Sequence, residues 1–118
     1  MRRGTTPTIV LHLPFDVSEI RNCEVYLAQG MLRITKTMSD CILEGNTIAL
    51  TLTQRDTLML RAGNRLELQA RFVFTDGSVD ASNIISISVR DILSEAEIIV
   101  PAESEVEPEP EGGESDGN

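Results

Sequence analysis

An all-β sandwich is the fold class that this sequence predicts, and three observations predict it. Residues 65–90 hold two runs in which apolar and polar side chains alternate, joined by the turn Thr75-Asp76-Gly77. Turn residues recur about every ten positions, which is the spacing of short antiparallel strands. Hydrophobic residues make up 41% of the chain but aromatic residues only 3%. The core must therefore be built mainly from Leu, Ile and Val, which suit pleated sheets.

The first part of the chain contains three predicted strands, each with one apolar face. They span residues 8–15, 23–29 and 31–37. Between the first two, Asp16 is a predicted N-cap of one helical turn, with Glu19 three residues later. The apolar side chains that share one face of each strand are Ile9, Leu11, Leu13 and Phe15, then Cys23, Val25 and Leu27, then Leu32 and Ile34.

The second part continues with short strands and one crossover. Residues 41–43 and 47–53 are predicted strands on either side of a Gly-Asn turn. Alternation breaks over residues 53–58, where Thr53 is a predicted N-cap of one helical turn across the end of the sheet. The hairpin of residues 65–90 follows. Beyond it, residues 98–100 are either a last edge strand or an extended exit.

This pattern of about seven or eight antiparallel strands with one short helical turn is typical of an immunoglobulin-like β-sandwich. A small closed barrel is the alternative. The sandwich domain is predicted over residues 1–100. Residues 101–118 are a predicted disordered acidic tail, because a segment rich in Pro, Glu, Gly and Ser cannot bury enough apolar surface to fold.

The net charge of −9 is concentrated in that tail. Seven of the 19 acidic residues lie beyond Val100, where no basic residue occurs, which leaves twelve acidic against ten basic residues in the rest of the chain. The chain's only lysine is Lys36, so neither part has the clustered cations that bind nucleic acid. The Glu-Pro alternation of the tail favours an extended spacer over a binding arm for a basic partner.

No arrangement of side chains in the sequence indicates catalysis or a bound cofactor, so a non-enzymatic protein is expected. His12 is the only histidine and has no predicted partner. Together with Cys23 and Cys41 it does not make a recognisable zinc set, and both cysteines are expected to stay reduced as small core residues. Asp76 and Asp80 fit a hairpin turn better than a calcium loop.

Neither export nor membrane insertion is indicated. Arg2 and Arg3 resemble the start of a twin-arginine signal, but the apolar run of residues 9–13 is broken by His12 and closed by Pro14. No apolar stretch approaches the roughly 20 residues that span a bilayer. The expected product is cytoplasmic, without membrane or small-molecule partners.

Outward-pointing strand residues are the remaining candidates for a function. A threonine ladder on one strand, together with a tyrosine and a methionine on other strands, is predicted to form a flat interaction face. Threonine is also an ordinary solvent-facing strand residue, so the two interpretations stay open. The candidate residues are Tyr26, Met31, Thr47, Thr51 and Thr53.

Four stretches of the sequence carry a resemblance to a known family. They are Met-Arg-Arg-Gly-Thr-Thr-Pro-Thr at residues 1–8, Leu-Pro-Phe-Asp at 13–16, Leu-Thr-Leu-Thr-Gln-Arg-Asp-Thr-Leu at 50–58 and Ala-Ser-Asn-Ile-Ile at 81–85. They resemble small proteins encoded among the structural genes of phages and prophages of Gram-positive gut bacteria. That group is similar to the immunoglobulin-like N-terminal domain of upper-baseplate-type tail proteins. The resemblance covers residues 1–95 and excludes the acidic tail.

The resemblance implies a non-enzymatic structural or adaptor protein of the virion or tail, which works by docking. Its expected partners are other phage structural proteins, with a homo-oligomer as a further option, and its expected location is the host cytoplasm during assembly and then the virion. One alternative is a module that binds carbohydrate or the host surface, which the absence of Trp and the single Tyr disfavour. Another is a phage-encoded inhibitor of a host protein.

Overall fold

The chain forms two antiparallel β-sheets with a shared core, as a computed structural model that describes residues 1–100 shows. The all-β sandwich predicted from sequence is confirmed. The predicted tail, residues 101–118, lies outside the described residues. The elements in chain order are β1 (Thr8–His12), β2 (Ile20–Gln29), β3 (Leu32–Thr37), β4 (Cys41–Glu44), β5 (Thr47–Thr51), α1 (Gln54–Leu58), β6 (Arg65–Phe74), β7 (Val79–Ala81) and β8 (Ile85–Ser88), with 3₁₀ turns at Val17–Glu19 and Met38–Asp40.

The strand order is that of an immunoglobulin-like sandwich. One sheet has the order β1-β5-β4, and the other has the order β3-β2-β6, with β7 and β8 both paired to β6. When β1 is matched to strand B of an immunoglobulin domain, the two sheets become B-E-D and C′-C-F-G. Strand A has no counterpart beside β1 in the described residues. Instead, Arg2 forms an isolated parallel bridge with Arg90, beyond the end of β8.

Aliphatic side chains from both sheets fill the core, as the scarcity of aromatic residues predicted. They belong to the inward-facing alternate positions of the strands, where Cβ atoms point to one side of the sheet. Phe15 closes the core near the end of β6 by edge-to-face contacts with Phe72 and Phe74, at centroid distances of 5.4 and 5.0 Å. The largest fully buried side chains are Val25, Leu27, Ile48, Leu50, Leu52, Thr57, Leu60, Leu66 and Leu68.

Both predicted helical turns are present, and each begins at the predicted N-cap. The Asp16 carboxylate accepts a hydrogen bond of 2.9 Å from Ser18 N–H, which holds the pKa of Asp16 below its ordinary value. At α1, Thr53 Oγ1 accepts from Asp56 N–H and Asp56 Oδ2 accepts from Thr53 N–H, each at 3.0 Å. This reciprocal capping box satisfies two backbone donors that a short helix leaves free.

The first strand is shorter than predicted, because β1 ends at His12 and not at residue 15. Leu13 N–H still donates to Asn46 O at 2.8 Å, but Gly45 and Asn46 form the turn between β4 and β5, so no strand lies beside Pro14 and Phe15. At the other end, Leu52 N–H donates to Pro7 O at 3.0 Å, just beyond the last residue of β5. Prolines therefore stand at both ends of β1.

The return arm of the long hairpin differs from the single run that its alternation predicted. It consists of two strands, because the register with β6 shifts by one residue between Ala81 and Ile85. The Ser82 side chain takes part in this bulge: its hydroxyl accepts from Ala70 N–H at 3.0 Å, while Ser82 N–H donates to Ala70 O at 2.8 Å. The extra residue bends the edge of the sheet.

The last described residues form an extended exit, not an edge strand. Arg3 ties their beginning down through ion pairs with Asp91 and Glu95 at 3.0 and 3.1 Å. Farther along, the Gln54 side-chain amide donates to Ile98 O at 3.0 Å and accepts from Ile98 N–H at 2.8 Å. The chain thus leaves the sandwich along α1.

Candidate docking surfaces

The five candidate interaction residues lie in four separate places. Thr47 and Thr51 share the outer face of the three-stranded sheet, whereas Tyr26 lies on the outer face of the other sheet, on the opposite side of the molecule. Met31 is in the turn between β2 and β3, and the Thr53 hydroxyl caps α1. The structure therefore joins only the two threonines of β5 in one surface.

The outer face of the three-stranded sheet is nearly uncharged, and we call it the threonine face. Its central row crosses all three strands, because Val10 and Ile42 both lie opposite Ala49. Val10 is 47% exposed and Ile42 is 70% exposed. The face consists of Thr8, Val10, His12, Ile42, Glu44, Thr47, Ala49 and Thr51, of which only Glu44 carries a formal charge at neutral pH.

Hydroxyl groups on the threonine face have partners within the protein. Thr8 and Thr51 lie opposite each other, and their hydroxyls are hydrogen-bonded at 2.8 Å. The Thr47 hydroxyl donates to Glu44 O at 2.9 Å. Burying a polar group is costly mainly when it loses its hydrogen bond, so these threonines can be covered by a partner at low cost.

The outer face of the five-stranded sheet has a different character, and we call it the Tyr26 face. Tyr26 lies at its centre, between Thr35 of β3 and Gln69 of β6. Its hydroxyl donates a hydrogen bond of 2.6 Å to Glu24, which raises the pKa of the phenol above its ordinary value. Charged side chains on the outward positions of this face include Glu24, Arg33, Glu67 and Arg71.

Met31 belongs to a third region, at the end of the sandwich that α1 occupies. Its side chain is 97% exposed, and with the half-exposed Met59 it lines a depression of about 450 Å³. Gln29 shapes the floor: its amide donates to Arg61 O and Asn64 O at 2.8 and 3.1 Å and accepts from Arg61 N–H at 2.6 Å. The depression is therefore built on a fixed loop.

The side chains with reactive chemistry do not come together in the described part of the chain. Cys23 and Cys41 are free thiols, and burial, with the nearby Cys23 and Asp40, raises the pKa of Cys41 to about 11. His12 is exposed on the threonine face. Among residues 1–100, no three His, Cys, Asp or Glu side chains are grouped so as to hold a metal ion. No helix in this range is long and apolar enough to cross a membrane.

Sequence reasoning missed four exposed apolar side chains of these surfaces: Val10 and Ile42 on the threonine face, Val79 on the Tyr26 face and Met59 beside Met31. The signal for the first two was present in the alternation, since each occupies the outward phase of its strand. Met59 follows the helix and gave no periodic signal.

Comparisons with known proteins add no identity, because no family model, no curated protein and no solved structure matches this chain.

Proposed function

We propose that this chain is a non-enzymatic docking protein of a phage particle, a structural or adaptor component of the tail or baseplate type. The observation that carries the proposal is the threonine face, with its exposed apolar row of Val10, Ala49 and Ile42. The free energy falls when another protein covers an apolar row that is exposed to water. Its neighbours are uncharged or internally hydrogen-bonded, which keeps the cost of desolvation low.

The context of a phage particle rests on the sequence resemblance of residues 1–95. The partner would be another structural protein of the particle, with a flat and largely uncharged surface of its own. The Tyr26 face supports docking less well, because its charged side chains would have to be paired or desolvated in a complex.

A pair of alanine substitutions tests the proposal. Ala49→Arg places a charge in the middle of the threonine face, and Ala28→Arg places the same charge on the Tyr26 face. Both alanines are half-buried on inner strands of their sheets, so the two variants are matched. Particles would be purified from host cells producing the phage with tagged chain, and the chain would be quantified by immunoblot and mass spectrometry.

We expect wild type and Ala28→Arg to be present in particles and Ala49→Arg to be lost, with all three chains folded by circular dichroism. Incorporation of Ala49→Arg at the wild-type level would show that the threonine face is not the docking surface. Absence of the wild-type chain from purified particles would contradict the structural role itself.

A further inference from the structure

The free edges of the two sheets differ in their protection against pairing with another chain. Strand β3 carries the charges of Arg33 and Lys36, β4 is four residues long and ends at Glu44, and β7 carries Asp80 and is separated from β8 by a bulge. Charges, short length and bulges are the devices that block edge-to-edge pairing. With five residues, β1 is the longest described edge strand that has no Asp, Glu, Lys, Arg, bulge or proline within it. Strand β8 also has none of these, but it is only four residues long and the carbonyl of its Ser86 already accepts a hydrogen bond from Arg65.

Within residues 1–100, no other element pairs with the open side of β1. Strand A, which would pair there in an immunoglobulin domain, has no counterpart beside β1 in the part of the chain that the structure describes. A groove of about 480 Å³ runs alongside instead, between β1 and the β7–β8 edge, and its lining includes Val10, Leu11, Ala81 and Ile85.

The alternation of the hydrogen bonds between β1 and β5 shows which backbone groups of β1 face the open edge. Antiparallel pairing uses alternate residues, and the bonds from Leu52 N–H to Pro7 O and from Leu13 N–H to Asn46 O assign the odd-numbered residues of β1 to β5. The N–H and C=O groups of Thr8, Val10 and His12 therefore point away from β5, towards the open edge. These residues also supply the side chains that β1 gives to the threonine face.

We propose that β1 pairs with β1 of a second copy of this chain, antiparallel and about a two-fold axis at Val10. In this register Val10 faces Val10 of the partner subunit and Thr8 faces His12 of the partner subunit. Each pair exchanges both of its backbone hydrogen bonds. This register pairs all three outward-facing residues of β1 in both copies, and Pro14, whose backbone faces the same edge but has no N–H, ends the paired stretch.

Self-pairing suits this edge better than pairing with a different chain. An uncharged edge carries no charge pattern that would select another partner, and two-fold dimers are the commonest oligomers. The dimer would also join two threonine faces into one surface, in which the apolar rows of both copies are continuous through Val10. The exposed segment around Ile99 is a weaker occupant, since the backbone groups of Ile98 already pair with Gln54.

Sedimentation equilibrium on the full chain tests the dimer. We expect a mass of twice 13.0 kDa for wild type. Val10→Pro removes a donor that β5 does not use, so the fold is kept, while the dimer dissociation constant rises by at least about tenfold. Val10→Lys places two like charges together at the axis and has the same effect. Ile42→Lys, on the same face but away from the axis, leaves the dimer intact.

Mixing two variants identifies the axis directly. Val10→Lys and Val10→Glu should each be monomeric alone and should form a heterodimer when combined, because opposite charges then meet at the axis. A monomeric wild type at concentrations up to about 1 mM, or a dimer that survives Val10→Lys, would overturn the proposal. Two further results together would also overturn it: loss of the dimer in Ile99→Asp, and failure of Val10→Lys and Val10→Glu to form a heterodimer when mixed. They would assign the β1 edge to the C-terminal segment.

The dimer does not depend on the proposed function, and the two fail separately. A monomeric chain that is present in particles would remove the dimer and leave the docking role standing. A dimeric chain that is absent from particles would remove the docking role and leave the dimer standing.

Discussion

The carboxylate of Asp56 lies 2.8 Å from the ammonium group of Lys36, and this ion pair connects α1 to the edge strand β3. Both side chains are largely buried. The same carboxylate accepts the hydrogen bond from Thr53 N–H that completes the capping box. Burial opposes its ionisation, but the hydrogen bonds from Lys36 and Thr53 outweigh burial and hold the pKa of Asp56 below its ordinary value. One carboxylate therefore fixes both the start of the helix and its position on the sandwich.

Asp56→Asn should destabilise the fold strongly. The substitution leaves Lys36 largely buried without a counter-charge and weakens the helix cap, and we expect the free energy of unfolding to fall by about 3 kcal/mol. Urea unfolding at neutral pH, followed by circular dichroism, measures the change.

Lys36→Met is the matched control, because it removes the other partner and keeps an apolar side chain of similar length. Asp56 then retains its hydrogen bond from Thr53 N–H, so the loss should be smaller, about 1 kcal/mol. Equal losses in the two variants would contradict the view that the carboxylate has the larger role.

The contribution of Asp56 to the stability of the fold should decrease as the pH falls. Its pKa is lowered in the folded chain, so the ionised form stabilises the fold at pH values above the unfolded-state pKa of about 3.9, and this stabilisation is lost as the pH falls through the folded value. The difference in unfolding free energy between wild type and Asp56→Asn should be constant from about pH 7 to 5 and should shrink towards about pH 3. A difference that does not change with pH would contradict this assignment.

Local patterns in the sequence were sufficient to predict most of the strands, both capped helical turns and the core. The alternation of Ile48, Leu50 and Leu52 placed them inside, and the spacing of Thr53 and Asp56 located the start of α1. The bulge at Ser82 could not be predicted in this way. It depends on hydrogen bonds between Ser82 and Ala70, which become neighbours only when the hairpin has formed.

The candidate surface was harder to predict than the fold, for a physical reason. Alternation indicates which side of a strand faces outward, but the sheet to which a strand belongs is decided by pairing between distant segments. Tyr26 and Thr47 are both outward residues, yet their strands belong to opposite sheets. The sequence could therefore predict that each residue is accessible, but not that the two lie on different faces.

Gln29→Leu should destabilise the loop before β6. The buried Gln29 amide makes three hydrogen bonds to the backbone of Arg61 and Asn64, and leucine leaves those backbone groups without partners. We expect the free energy of unfolding to fall by about 3 kcal/mol and hydrogen exchange at the Arg61 amide to be faster. Gln69→Leu is the control, since the Gln69 amide makes a single bond to Ser82 O and should cost about 1 kcal/mol or less. Unchanged exchange at Arg61 in Gln29→Leu would refute the anchoring role.

Gly4→Ala should displace the Ile92 side chain and loosen the start of the C-terminal segment. Gly4 has a φ of +72°, and a Cβ there would lie 2.7 Å from Ile92 Cδ1, closer than packed carbon atoms approach. Gly30→Ala is the matched control, because Gly30 has a φ of +58° but open space around it. The control should cost about 1 kcal/mol from backbone strain alone, and Gly4→Ala should cost more because Ile92 must move. Limited proteolysis between Asp91 and Ile98 should be faster in Gly4→Ala only. Equal cleavage of the two variants would show that the contact between Gly4 and Ile92 does not hold the segment in place.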